Sequence, residues 1–497
     1  MRLTDLTRDL VRLPDDRDPE ISGLTADSRA VTAGSIFAAL PGVKQDGRQF
    51  ASAAAKAGAA AILTDAEGAA RMAGLGLPIL TADNPRRALA LMAARLHGPQ
   101  PRIVAAVTGT NGKTSTASFL RQIWAHTGHA AASLGTLGLE GPAGFDLSQA
   151  FGMTAPAMTT PDPVSLQVLL AALASRGINH TVMEASSHGL DQYRLDGVRV
   201  SAAAFTNITQ DHLDYHGSMD RYLAAKLRLF TDLLAPGGQA VINADSPAFD
   251  QVAEASRKAG HAIIDFGLKG KALALADRHM TSDGQTLDLE VLGKRHTVVL
   301  PLVGAFQASN ALAALGLAVA TGIAADAAVA ALAHLSGVRG RVERVVTLDN
   351  GASVFVDYAH TPDGLEKVLM ALRPHAENRL VVVFGAGGDR DRTKRPLMGR
   401  VAAKLADEVI VTDDNPRSEN PAAIRAEILV GCPDATEIGD RSNAIAEAMG
   451  GLEAGDLLVI AGKGHEQGQI VGSVVHPFDD AEVARSVALG LHTGARI

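Results

Sequence analysis

The sequence predicts an α/β protein of several domains, built on mostly parallel sheets with helices on both faces. Short apolar runs alternate with helix-like stretches along the chain, as strands do when they cross over through helices. Many of these runs end in loops dense in Gly, Asp, His or Arg, where open α/β sheets bind their ligands. The length of 497 residues implies about two to four cores at roughly 100–200 residues each.

Composition narrows the class. A hydrophobic fraction of 47% excludes wholesale disorder, and 50 Gly with 21 Pro are too few and too aperiodic for a fibrous chain. A net charge of −8 argues against a general nucleic-acid or acidic-membrane binder, while leaving room for a local basic pocket. The single cysteine, Cys432, excludes an intramolecular disulfide and a Cys-based zinc site. The amino terminus alternates charge with leucine and lacks the apolar stretch of a signal peptide, so a cytoplasmic protein is expected. Ala311 to Ala333 is apolar, but Thr321-Gly322 breaks it and it carries Asp326. It reads as two packed helices rather than a membrane span.

Three blocks follow in order. In residues 1–100, Ile62-Leu63-Thr64 and Pro78-Ile79-Leu80 read as strands. Asn84-Pro85 opens a helix running toward His97, and Gly98-Pro99-Gln100-Pro101 stops it as a linker. Residues 101–337 begin with the strand Arg102–Val107 and a glycine loop, followed by the strands His180–Met183 and Val200–Phe205. Residues 338–497 carry the strands Ser353–Val356, Leu380–Phe384, Glu408–Val411 and Asp456–Ile460.

The strongest local signal is Thr108-Gly109-Thr110-Asn111-Gly112-Lys113-Thr114, between a buried-looking strand and a helix. Glycines let backbone N–H groups curl around phosphate oxygens, Lys113 adds a point charge, and Thr114 reaches Mg²⁺. The usual pattern wants glycine where this chain has Val107, so this is a variant phosphate loop. Glu184, at the end of the next strand, stands where a carboxylate supports Mg²⁺, although taken alone a solvated turn is its default reading. Asp211, His212, Asp214 and His216 crowd the loop after Phe205, which points to a metal or phosphate role. Lys226 lies on an apolar helical stretch, where a snorkelling lysine is the default. The third block adds loops at Asp357–Pro362, Gly385–Asp391, Asp414–Arg417 and Gly462–Glu466. Each follows a strand, so the four converge on one sheet edge and suit a charged ligand with several groups.

Taken together, TGTNGKT, MEASSHGL, NITQDHLDYHG, Gly340-Arg341, DYAHTP and GKGHE resemble the Mur ligases in order and over nearly the whole chain. These are the ATP-dependent amide-bond enzymes of peptidoglycan precursor synthesis. DNPR at 414–417 with GGDRD at 387–391 is similar to the branch that adds meso-diaminopimelate to UDP-N-acetylmuramoyl-L-alanyl-D-glutamate. The resemblance implies three domains: an N-terminal α/β UDP-muramoyl-binding domain (1–100), a central P-loop ATPase domain with a mostly parallel sheet (101–337), and a C-terminal Rossmann-like domain for the incoming amino acid (338–497). It implies Mg²⁺ and ATP, a monomer, and no nucleic acid or membrane insertion.

The resemblance also assigns residues. Gly109, Thr110, Asn111, Gly112, Lys113, Thr114, Asn310, Arg341, Asp357 and His360 correspond to ATP contacts. Thr114, Glu184, His212 and Lys226, the last as a carbamate (N6-carboxylysine), correspond to magnesium ligands, and Lys113, Lys226 and His212 to the catalytic set. Ser28, Thr159, Thr160, Ser186, Gln192 and Arg194 correspond to positions holding the UDP-muramoyl dipeptide. Arg390, Asp414, Asn415, Pro416, Arg417, Gly462 and Glu466 correspond to the diaminopimelate site. Met158 replaces an Asn found in some relatives, so one muramoyl contact is absent or made by the backbone. A second DNPR, at 83–86, reads as a mere helix-start turn.

Competing readings are a lysine-adding relative, disfavoured by DNPR, and a folylpolyglutamate synthase, disfavoured by Asp27-Ser28-Arg29. A P-loop kinase or GTPase leaves DYAHTP and GKGHE unexplained, and a binding module without turnover leaves Lys113, Glu184, His212 and Lys226 without purpose.

Overall fold

The computed structural model describes residues 1–492 apart from 15, 43, 44, 73, 143–157 and 282. Most of the patternless segment Gly141 to Pro156 therefore lies outside the described residues. The chain divides into two compact units, Met1–Leu273 with Leu312–Ala328, and Ala274–Ala311 with Val329–Ile497. This interleaved division is a different partition from the expected blocks 1–100, 101–337 and 338–497.

The first unit holds two sheets. One has the parallel strands Gly23–Thr25, Ser35–Ala38, Ala61–Thr64 and Ile79–Thr81, side by side in chain order. The helix Pro85–His97 buries Ala88, Leu89, Met92 and Ala93 in the same core as Leu63 and Leu80. Asn84 caps it, its side chain accepting the Arg87 N–H at 3.0 Å, with Pro85 in the first turn. The DNPR at 83–86 is thus a helix-start turn. The stretch after it is pinned rather than a free linker, since Gln100 donates to Gln167 at 2.9 Å and to the Gly197 carbonyl at 2.6 Å.

The other sheet runs in the order Ala262–Gly267, Leu234–Asn243, Val200–Phe205, Ile103–Thr108, His180–Glu184 and Ala131–Gly135, all parallel. Gly138–Glu140 closes its edge as an antiparallel hairpin. Ile103–Thr108 is buried after its first residue, as expected of a parallel strand covered on both faces. The apolar stretch 311–333 is indeed two helices, Ala305–Ala320 and Ala325–Leu332. The break between them falls at Thr321-Gly322 as expected, and the first begins at Ala305, just after Gly304 at φ 93°. No helix among the described residues is long and apolar enough to cross a membrane.

In the second unit, the strands Ser353–Asp357, Leu457–Ala461, Leu380–Phe384, Glu408–Val411 and Thr436–Glu437 form a parallel sheet in that order, with Glu343–Thr347 antiparallel at one edge. Its four long parallel strands bring the loops at Asp357, Gly385, Thr412 and Gly462 to one edge, as the sequence predicts. Helices Pro362–Leu372, Lys394–Leu405 and Pro421–Leu429 pack in one core, and Arg441–Gly450 and Asp480–His492 contribute to another.

Candidate active site

The phosphate loop joins strand Ile103–Thr108 to helix Lys113–His126. Gly109 sits at φ 151°, and a Cβ there would lie 1.9 Å from Thr206 Oγ1, so only glycine fits. Gly112 caps the helix in the left-handed region. The adjacent strand's loop braces the turn. Thr206 Oγ1 donates to the Asn111 carbonyl at 2.6 Å, and Asn207 Oδ1 accepts the Asn111 N–H at 2.9 Å.

Two lysines meet on this loop. Lys113 Nζ donates to the carbonyls of Gly109 and Thr110 at 2.9 and 2.8 Å, and Lys226 Nζ donates to Gly109 at 2.8 Å. Lys226, on helix Met219–Arg228, is only 1% exposed, so it does not snorkel. Burial, reinforced by the Lys113 charge, pushes its pKa well below the ordinary lysine value. Its ammonium lies 4.4 Å over the Tyr222 ring, whose hydroxyl is 3.1 Å from Thr110 Oγ1. Burial lifts the Tyr222 hydroxyl to about 12, which keeps it neutral. Sequence reasoning missed Tyr222, although its i,i+4 spacing from Lys226 puts both on one helix face.

Glu184 ends the neighbouring strand and is 2% exposed. Thr136 donates to its two oxygens through backbone N–H (2.8 Å) and hydroxyl (3.3 Å). Among the described residues no cationic side chain pairs with this buried carboxyl, a situation that suits a bound cation. The hydroxyl of Thr136 also lies 3.1 Å from that of Thr159, while Thr160 donates to the Glu184 carbonyl and lies 3.0 Å from Ser186 Oγ. Residues assigned to the metal and to the muramoyl dipeptide are therefore linked through Thr136, which carries no sequence signal. His212 is exposed, at φ 52°, with Nε2 3.4 Å from Asp211. His188 packs between His212 and His216, its ring centroid 4.8 and 5.5 Å from theirs.

A cleft of about 610 Å³ opens in this unit, lined among others by Leu24, Asp27, Arg86, Met158, Gln192 and Arg194. Its size suits a drug-sized ligand. Arg194 donates to the Thr160 carbonyl at 2.7 Å and to Gln192 Oε1 at 2.7 Å, and approaches Met158 Sδ at 3.3 Å. Ser28 lies between the lining residues Asp27 and Ala30. A second cleft, about 440 Å³, lies by Arg102, His129 and His180 at the amino ends of the strands. Three helices end beside it, ahead of Gly128, Gly177 and Gly322, and the Arg102 charge there complements helix dipoles.

In the second unit, Asn310 is buried and donates to Gln307 at 3.0 Å. Asp357 accepts the N–H groups of Val342 and Ala359 at 2.8 and 2.7 Å. Burial raises its pKa against the pull of Arg341. Arg341 stacks 4.8 Å over the Tyr358 ring, with its Nε buried and unpaired. Burial lowers the His360 pKa, so the ring is neutral near pH 7.

The GGDRD and DNPR loops interlock. Gly388 N–H donates to the Asn415 carbonyl at 2.9 Å, and a Cβ on Gly388 would strike the Pro416 carbonyl at 1.9 Å. Arg417, at φ 51°, donates Nη1 to the Gly388 carbonyl at 2.8 Å, and its Nε and Nη2 make no protein hydrogen bond among the described residues. Backbone bonds with Ile470 and Gly472 hold the residue. Unlike the DNPR at 83–86, this one starts no helix; the following helix begins at Pro421, capped by Asn420. Arg390 is exposed. Glu466 accepts from Asn415 Nδ2 at 2.9 Å, and Gly462 lies beside Asp414. Among the described residues, His212, Val342, Asp389 and Arg417 are four of the seven non-glycine residues at positive φ, which concentrates backbone strain beside the candidate site residues.

Family models match three stretches: the Mur ligase family catalytic domain over residues 20–97, the Mur ligase middle domain over 107–318, and the glutamate ligase domain over 340–464. A relative from Caulobacter vibrioides is 55% identical over 96% of this chain and 97% of its own length. The chain belongs to the Mur ligase family. That relative, and one from Brucella melitensis at 52% identity covering 95% of both chains, are named UDP-N-acetylmuramoyl-L-alanyl-D-glutamate–2,6-diaminopimelate ligase. A solved structure of a ligase with the same name has 34% identity, covers 99% of both chains and superposes with a TM-score of 0.73. A folylpolyglutamate synthase from Mycobacterium tuberculosis, at 22% identity and a TM-score of 0.61, shares the fold over 81% of this Mur ligase.

Proposed function

We propose that this Mur ligase uses ATP to join meso-2,6-diaminopimelate to UDP-N-acetylmuramoyl-L-alanyl-D-glutamate. The observation that carries the choice of amino acid is Arg417. Its guanidinium is anchored by one nitrogen, with two left for a ligand, on the loop that also carries Asp414, whose carboxyl shares Lys463 with that of Glu466. Such a set suits an amino acid with a second carboxylate and a second ammonium.

A carboxylate is a poor electrophile, so it is first phosphorylated. Its oxygen attacks the γ-phosphorus, ADP leaves, and an acyl phosphate forms. The amine then attacks the acyl carbon, phosphate departs and the amine loses a proton. Lys113, already folded over the loop, offsets charge on the transferring phosphoryl group. Thr114, Glu184, His212 and carbamylated Lys226 would hold magnesium, which supplies further charge neutralisation at the phosphates. The carbamate forms when a neutral lysine amine adds CO₂ and releases a proton, and the lowered pKa of Lys226 favours that neutral amine. Gln192 and Arg194 in the larger cleft, with Thr160 and Ser186 tied to Arg194 through the Thr160 carbonyl and hydroxyl, hold the muramoyl dipeptide, and Asn310, Arg341, Asp357 and His360 hold the nucleotide. The proposal includes the domain limits 1–100, 101–337 and 338–497, a cytoplasmic location and a monomeric state.

The test is phosphate release from ATP with the muramoyl dipeptide and either diaminopimelate or lysine. Diaminopimelate-dependent release is expected. Release that is equal or greater with lysine would refute the amino-acid assignment.

A further inference from the structure

Of the GKGHE loop, the roles above use Gly462 and Glu466, and its lysine has none. Lys463 directly follows the glycine after strand Leu457–Ala461 and is completely buried. Its Nζ donates to Asn415 Oδ1 at 2.9 Å and lies 3.4 Å from Asp414 Oδ1 and 3.6 Å from Glu466 Oε2. Asn415 completes the group, donating Nδ2 to Glu466 Oε2 at 2.9 Å and accepting the Ile470 N–H at 2.9 Å.

An ammonium is buried this deeply only where charged partners repay its lost hydration. Here one ammonium serves two carboxylates, and the group keeps a single negative charge. Of the other buried cations at these loops, Arg441 is neutralised by Asp480 at 2.7 Å and Arg395 by Glu419 and Glu427, each at 2.8 Å. Lys394 donates to the His360 carbonyl at 2.8 Å and feels Asp414 through space without an ion pair to it. Glu466 is 35% exposed, and its Oε1 carries no protein hydrogen bond among the described residues, so the remaining charge is accessible.

We propose that Lys463 is a positioning residue that tunes the amino-acid site to one negative charge, so that it accepts one ammonium without repelling the carboxylate on the same carbon. This rests on the assignment of diaminopimelate above. The distal carbon of that substrate carries one ammonium and one carboxylate. Arg417 answers the carboxylate, and the Asp414–Lys463–Glu466 group answers the ammonium. Without Lys463, two uncompensated carboxylates would face the substrate's own carboxylate. Lysine, which has none at that end, would suffer less.

The experiment compares kcat and KM for diaminopimelate and for lysine in the wild type, in Lys463→Met and in Lys463→Met/Asp414→Asn. In K463M, kcat/KM for diaminopimelate is expected to fall about tenfold or more further than that for lysine, chiefly through KM, with KM for ATP unchanged. The double variant removes one carboxylate with the ammonium, restores the single charge, and should recover much of the lost preference. A K463M variant that loses both amines in proportion, or a double variant with no recovery, overturns the proposal. Should K463M not fold, the double variant, free of the extra buried carboxylate, carries the comparison. The wild type gives an independent reading with 2-aminopimelate, which lacks the distal ammonium. Its kcat/KM should be at least about tenfold below that of diaminopimelate, since the residual negative charge then has no partner, and equal use overturns the charge count. Wild-type preference for diaminopimelate with an unmoved ratio in K463M sinks the role of Lys463 alone, whereas wild-type preference for lysine sinks the amino-acid assignment and this role with it.

Discussion

At the Gly109 carbonyl, two lysine side chains share one acceptor, Lys113 at 2.9 Å and Lys226 at 2.8 Å. Burial disfavours the Lys226 ammonium and the neighbouring Lys113 charge adds to that, which is why Lys226 holds its proton poorly. Lys226→Ala should therefore nearly abolish turnover by removing the carbamate, and short carboxylic acids should partly restore it. Full activity without such an additive would exclude the carbamate role. Nothing in the spacing around Lys226 announces this, because burial is a property of the folded helix; only the family resemblance pointed to it. The two DNPR tetrapeptides teach the same lesson. One caps a helix, while the other interlocks with glycines 387 and 388, and only the neighbours distinguish them. At the second, Arg417→Ala should collapse the preference for diaminopimelate over lysine, measured as the ratio of kcat/KM values. Sites that hydrogen-bond a substrate group reject analogues lacking it by up to about 10⁴–10⁵, so the change should be large. An unchanged ratio would show that Arg417 does not read the distal carboxylate.

At the scale of elements, the nine strands named from the sequence lie within a residue of their observed limits, because buried parallel strands announce themselves as apolar runs ending in polar loops. Others, such as Ser35–Ala38, Ala131–Gly135 and Leu234–Asn243, went unread. Nor were the partners across the sheet readable. Strand Ile103–Thr108 lies between Val200–Phe205 and His180–Glu184, so the loop it feeds is braced by Thr206 and Asn207 from far along the chain. Thr136 reaches Glu184 in the same way, from the turn after strand Ala131–Gly135. Such contacts follow from strand order, which a linear sequence does not state. This bracing predicts that Gly109→Ala disrupts the loop rather than the unit. The new Cβ would meet Thr206 Oγ1 at 1.9 Å, and the φ of 151° is strained for alanine. Affinity for ATP, measured by calorimetry, should fall at least about tenfold, because the phosphate-binding N–H groups lose their arrangement. The thermal transition should move by only a few degrees, as for a local change of about 1–2 kcal/mol. Unaltered ATP affinity would mean that the loop does not hold phosphate.

Over the whole molecule, the chain builds two compact units whose unfolding can be followed by different probes. The single tryptophan, Trp124, is fully buried in the first unit, where its indole N–H donates to Thr321 at 3.2 Å. Its fluorescence therefore reports unfolding of that unit, while circular dichroism reports both. The second unit contains a completely buried ion pair, Arg441 with Asp480, at 2.7 and 2.8 Å. Arg441 also donates to the Asp413 and Ala461 carbonyls, tying the loop before DNPR and the strand before GKGHE to the carboxyl-terminal helix. Breaking such a pair by removing one partner leaves a buried charge uncompensated and costs about 3–5 kcal/mol. Asp480→Asn should thus move the circular dichroism transition of the second unit to lower urea. Fluorescence of Trp124 should keep its wild-type midpoint, because proteins of several compact units need not unfold in one step. The loosened loops should also raise KM for diaminopimelate while leaving affinity for the UDP-linked substrate, whose proposed cleft lies in the first unit, unchanged. If the fluorescence midpoint falls together with the circular dichroism, the two units unfold as one, and Arg441 with Asp480 stabilises the entire molecule rather than the half that contains it.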